Sequence, residues 1–182
     1  RLMTYIEQGD TAKWVEASKE FALDDEAIAQ NLLAYYQEKN DNEASMKFAD
    51  GLLAKNPENK IANYSKGVLL FGQQKFVEAL PYFEKCVQID PEFTDAYYNA
   101  GVCCCNEGYN VNESISGKKM KPADNKMAIE KVKDWYRKAE PYFLKVKEMD
   151  PENPDRWASR LKTIYYIIGD KAKEQEMDAY LK

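Results

Sequence analysis

Apolar residues recur along this chain in steps of three and four. Phe76, Leu80, Phe83 and Val87, flanked by Ala79 and Cys86, make one stripe; Val132, Tyr136, Ala139, Phe143 and Val146, flanked by Trp135, make another. Steps of that size put side chains on one face of a 3.6-residue helix, and so oily a face needs a partner. The period-two alternation of a half-buried strand is missing throughout, so the pattern predicts an all-α chain. At the start, "RLMTYIEQGD" reads as the tail of a helix, with Leu2 and Tyr5 facing inward and Gly9-Asp10 as its turn. A second helix is expected over 11–22, carrying Trp14 and Phe21.

The helical stretches are punctuated at a fixed interval. "KNPEN" at 55–59, "IDPEF" at 89–93 and "MDPEN" at 149–153 share a proline that cannot donate the next helical hydrogen bond. Pro57 and Pro91 are 34 residues apart; Pro91 and Pro151 are 60 apart, the same period with 26 residues inserted. Such a period belongs to a helix–turn–helix unit that stacks on copies of itself. Gly67, Gly101, Ala79 and Ala139 let two helices approach, and Phe83 and Phe143 fill the space beside them.

In these residues the chain resembles the tetratricopeptide repeat (TPR) family, whose pattern is W-x-x-L-G-x-x-Y, then A-x-x-x-F, then P. Gly67, Ala79, Phe83 and Pro91 carry the resemblance in 60–93, where Asn63, Lys66 and Leu70 depart from the Trp, Leu and Tyr positions. Tyr97, Ala100, Gly101, Ala139, Phe143 and Pro151 carry it in the next unit. Trp157 opens a further one, and 26–59 agrees by spacing and by Pro57.

The resemblance implies a right-handed α-α superhelix of antiparallel helix pairs in one domain over 1–182. Its parts would be a partial repeat at 1–25, repeats at 26–59 and 60–93, a repeat at 94–153 with an insertion at 109–134, and a C-terminal repeat at 154–182. More solenoid is expected ahead of a chain that starts inside a repeat. The first helices would line a concave groove that takes an extended peptide or a partner helix. Carried over position by position, the groove residues are Tyr64, Val68, Phe71, Tyr98, Val102, Cys105, Lys162 and Tyr165, with amides at Asn99 and Asn106. Tyrosine gives large contact area at low entropic cost, and amides pair with peptide backbone. The family's carboxylate-holding chaperone clamp is not expected: Tyr64, Val68, Asp155 and Ser159 stand where it needs cations and an amide, and only Asn99 agrees.

The first half of the insertion, "YNVNESISGKKMKPAD", is rich in turn formers and reads as a loop with Lys118, Lys119 and Lys121 at its tip. From Pro122 or Ala123 the helical pattern runs to Met149, about 26 residues or about 39 Å. Pro141 inside that helix, and Pro81 at the matching place one repeat earlier, each remove a backbone hydrogen bond and predict a bend. "SGKK" lacks the spacing of a phosphate loop, since Asn112 and Lys119 stand where a glycine and a hydroxyl residue are needed.

Cys103, Cys104 and Cys105 are consecutive, in a chain with four cysteines and no histidine. Neighbours on a helix diverge by about 100°, so the three cannot converge on one ion, and only Cys86 remains, with no histidine to complete a zinc set. Bridging adjacent residues would break the helix. The resemblance puts Cys104 at the family's buried tyrosine and Cys86 at a small-residue position, which implies that both are compact core residues. Lack of histidine also removes the commonest general base. The acidic run 24–26 reads as a helix start, where carboxylates suit the dipole.

A net charge of −5 leaves no basic excess for nucleic acid. No apolar run nears the roughly 18–20 residues of a membrane span. The reading is a non-catalytic scaffold with a protein or peptide partner and no cofactor or metal. The alternatives are a structural or self-associating segment of a longer solenoid, joined through exposed repeat ends, and an accessory domain of a larger enzyme or surface-assembly system. Similar repeats occur in bacterial exported proteins and in cytoplasmic ones, so both settings suit.

Overall fold

The computed structural model describes residues 2–181, which form ten α-helices, one turn of 3-10 helix at Pro154–Arg156 and no strand. The helices are α1 Leu2–Glu7, α2 Thr11–Phe21, α3 Glu26–Glu38, α4 Asn42–Lys55, α5 Lys60–Gly72, α6 Phe76–Ile89, α7 Thr94–Ile115, α8 Pro122–Met149, α9 Ala158–Ile168 and α10 Lys171–Met177. They fall into two compact units, residues 1–69 and 70–182, with the boundary inside α5. Within each unit helices pack on their neighbours in sequence: α1 on α2, α2 on α3 and α3 on α4 in the first, and α6 through α10 in turn in the second.

Local chemistry sets the helix starts of unit 1. Asp10, Asp25 and Asp41 each precede a helix and accept from its free N–H groups: Lys13 at 3.1 Å, Ala27 and Ile28 at 3.0 and 3.1 Å, and Ala44 at 3.0 Å. Such caps contribute about 1 kcal/mol each. The turn between α1 and α2 needs a left-handed residue, supplied by Gly9 at φ +68°. Ala22, Ala29, Leu32, Leu33, Tyr36, Ala49 and Leu52 form the core, with Trp14 and Phe48 against it. Ser45 occupies the place that Ala79 and Ala139 hold in later repeats; it is buried and its hydroxyl has no hydrogen-bond partner.

In unit 2 two glycines of α7 seat two rings of α8. A Cβ on Gly101 would lie 2.7 Å from Cε2 of Phe143, and one on Gly108 would lie 2.7 Å from Cε2 of Tyr136. Real Cβ atoms do not approach a ring so closely, so each ring fills the space that a side chain would occupy. The glycines are two turns apart on α7 and the rings two turns apart, in reverse order, on α8. This fixes the antiparallel register. Counting back by the repeat, Gly101 and Phe143 correspond to Leu33 and Ala49, both buried in the core of unit 1. The bulk there has moved from the second helix to the first. One repeat on, the same places hold Leu161 and Met177, again buried.

The insertion departs from expectation. Only part of its first half is a loop: α7 continues to Ile115, and 116–121, with Lys118, Lys119 and Lys121, connect it to α8. The reason is that Gly108, Val111 and Ile115 prolong the inward stripe in steps of three and four, and this packing outweighs the turn-forming asparagines and serine between them. Helix α8 starts at Pro122, where a missing N–H costs nothing, and runs 28 residues, about 42 Å. It is helical straight through Pro141, as α6 is through Pro81. Both prolines are exposed, so the lost backbone bond falls on the solvent side.

After α8, Trp157 is 1% exposed and donates from Nε1 to the carbonyl of Asp150 at 3.1 Å. Tyr180 meets its ring edge-on at 4.8 Å, tying the last residues to the repeat.

Gly101→Ala and Gly108→Ala should each lower stability by about 1–3 kcal/mol through overpacking. Gly51→Ala, in mid-α4 where a Cβ meets open space, should raise it by up to about 1 kcal/mol. Urea midpoints check this; equal small effects at all three sites would contradict the seating of the rings.

Candidate interaction surface

The first helices of the repeats carry the residues expected to meet a partner. In unit 1, Tyr64 is half-buried and Val68 is exposed on α5. In unit 2, Phe71 is half-buried, its ring edge-on to Phe76 at 5.2 Å. On α7, Tyr98, Asn99 and Asn106 are half-buried, while Val102 and Cys105 are buried.

Tyr98 is held from behind and from the side. Its ring stands at 86° to that of Phe143, centroids 5.9 Å apart, and the guanidinium of Arg156 lies 5.4 Å from its centroid. Arg156 is in turn anchored by Asp95 and by Asp150 at 3.2 Å. A tyrosine braced in this way keeps part of its surface in water with little rotamer freedom left to lose on binding.

The α9 residues behave differently. Lys162 is ion-paired with Asp178 beyond α10. Tyr165 is 2% exposed, with Lys173 of α10 at 5.1 Å from its ring. Lys173 also bridges to Glu140 of α8 at 2.9 Å. Burial and the neighbouring Glu140 carboxylate push the Tyr165 hydroxyl well above its ordinary pKa. Tyr165 is thus a packing residue between α8, α9 and α10, and its place on the expected surface falls away.

One surface residue escaped the sequence reading. Tyr109 is 57% exposed and continues the series Tyr98, Val102, Asn106 along α7 in steps of four, four and three. The steps themselves were the available signal; they were hidden because 109 was assigned to the loop.

The cysteines lie behind this surface. Cys103, Cys104 and Cys105 are free and buried, and burial pushes each thiol up to about 12. They are neutral at physiological pH, which deprives them of the thiolate needed for attack or metal binding. Among the described residues no group of three or more His, Cys, Asp or Glu side chains could hold a metal ion. No described helix is long and apolar enough to cross a membrane.

Residues 62–93 match the family model for the tetratricopeptide repeat. That stretch is a tetratricopeptide repeat. Solved structures agree at the level of the fold. MamA (residues 41 to the end) from Desulfovibrio magneticus RS-1 is 17% identical, with a TM-score of 0.57 over 99% of this chain and 86% of that one. The human IFIT1 dimer with m7Gppp-AAAA is 17% identical, with a TM-score of 0.65 over 92% of this chain. This chain spans 35% of the IFIT1 chain. No curated protein matches the sequence.

The buried thiols make stability fall in alkali. Their folded pKa lies above the unfolded value near 9, so their contribution is whole below pH 9 and is lost as pH rises toward about 12. Each thiol should cost about 1 kcal/mol per pH unit in that window. Urea midpoints at pH 8 and pH 10.5 measure this, and Cys103→Ala with Cys105→Ala should flatten the slope.

Proposed function

We propose that this chain is a non-catalytic scaffold that binds an extended peptide or a partner protein on the face carried by the first helices of its repeats. In unit 2 that face is the α7 series of Tyr98, Asn99, Asn106 and Tyr109, with Val102 as its floor and Lys162 as the neighbouring cation. In unit 1 the matching positions are Tyr64 and Val68. The observation that carries the reading is Tyr98, a half-buried aromatic braced by Phe143 and Arg156 and accompanied by side-chain amides. Rigid tyrosines with adjacent amides are the usual means of gripping a peptide. The absence of histidine and the neutral thiols support a role without catalysis.

Selection from a displayed peptide library tests it. Enriched peptides should bind the whole chain saturably and lose at least tenfold in affinity with Tyr98→Ala or Asn106→Ala, while a control at exposed Gln88 on α6 leaves binding intact. Peptides that bind all variants equally would remove α7 as the binding face.

A second reading, self-association, draws on unit 1, where Phe21 and Leu23 are 42% and 41% exposed. Leu23 lines an open pocket of about 560 Å³ with Tyr36 and Phe48. Concentration-dependent light scattering abolished by Leu23→Asp, and untouched by Tyr98→Ala, would favour it.

A further inference from the structure

The hairpin of α7 and α8 outruns its neighbours. The two helices have 22 and 28 residues, against 14 in α6 and 11 in α9. Since Gly108 faces Tyr136, the stretch 109–131 is an arm in which the two helices lean mainly on each other. No residue from 109 to 131 is buried. Ile115 and Ala128 are only half covered, Met127 is 72% exposed and Ile129 43%. Helices in water are held chiefly by covering an apolar face, and two alone leave such a face half dressed.

The arm is also basic in an acidic chain. Residues 116–127 carry Lys118, Lys119, Lys121 and Lys126 against the single carboxylate of Asp124, whereas the chain as a whole has a net charge of −5. Steps of three and four set Lys126 beside Ile129 and Lys131 beside Met127, so each exposed apolar side chain has a lysine on its own flank of α8. Glu130, the other carboxylate in this part of the helix, is already bridged to Lys133 and Arg137.

We propose that the arm is a docking site for an acidic amphipathic helix of a partner protein. The incoming helix would supply the missing third element, its apolar residues covering Met127 or Ile129 and its carboxylates meeting the lysines. Methionine suits the purpose, being flexible enough to fit apolar side chains of different shape. The docking residues, on α8 and in the 116–121 connection, are none of those in the α7 series, although the arm begins at Tyr109.

The test uses the full chain and a fluorescein-labelled 18-residue peptide with leucine at helical spacing and glutamate elsewhere. The expected result is saturable binding that strengthens at low salt and induces helicity in the peptide. It should fall at least tenfold with Met127→Asp, and with the triple change Lys118→Glu, Lys119→Glu and Lys121→Glu, but persist with Tyr98→Ala. These positions are exposed, and unchanged melting curves would verify that the variants fold. Equal binding of the same peptide with lysine in place of glutamate would overturn the proposal. So would indifference to the arm variants, loss with Tyr98→Ala instead, or binding only to phosphatidylserine-containing vesicles.

Discussion

The organisation of unit 2 depends on one steric arrangement, an aromatic ring of one helix lying where a neighbouring helix has no side chain. Gly101 and Gly108 leave α7 bare at two places, and Phe143 and Tyr136 of α8 occupy them. A ring that fits only opposite a glycine specifies which residues face each other, and hence the register of the whole hairpin. With the register set, Tyr98 finds Phe143 behind it, the cysteines are shut away from water, and the ends of both helices run on together as an arm.

Unit 1 meets the same demand by a different distribution of volume. Leu33 and Ala49 stand at the positions of Gly101 and Phe143, with the large residue on the first helix. What these two repeats share is complementarity of size between paired helices rather than the identity of either member, whereas the last repeat buries large residues, Leu161 and Met177, at both places. This explains why 26–59 agrees with the family pattern in spacing while its side chains diverge.

Much of the architecture was legible in the chain. The prolines at 57, 91 and 151 and the glycine-to-phenylalanine pattern announced paired helices, and Pro122 marked the start of α8. The end of α7 was hidden because asparagine and serine weigh against helix in local reading, while the gain from packing Val111 and Ile115 against α8 is tertiary. The binding surface was legible only in part. The family resemblance implies Tyr98, Val102 and Tyr165 as groove positions, yet it does not say how much of each a later helix will cover. Tyr165 is enclosed because α10 and its Lys173–Glu140 bridge lie against it.

The claim that complementary volumes set the hairpin is tested most directly by exchanging them. Gly101→Leu and Phe143→Ala, alone and together, recast the α7–α8 contact as the Leu33–Ala49 pair. A double-mutant cycle in urea should show the pair of changes less damaging than the sum of the two singles by at least about 1 kcal/mol, as expected for residues in direct contact. Additive losses would contradict the account.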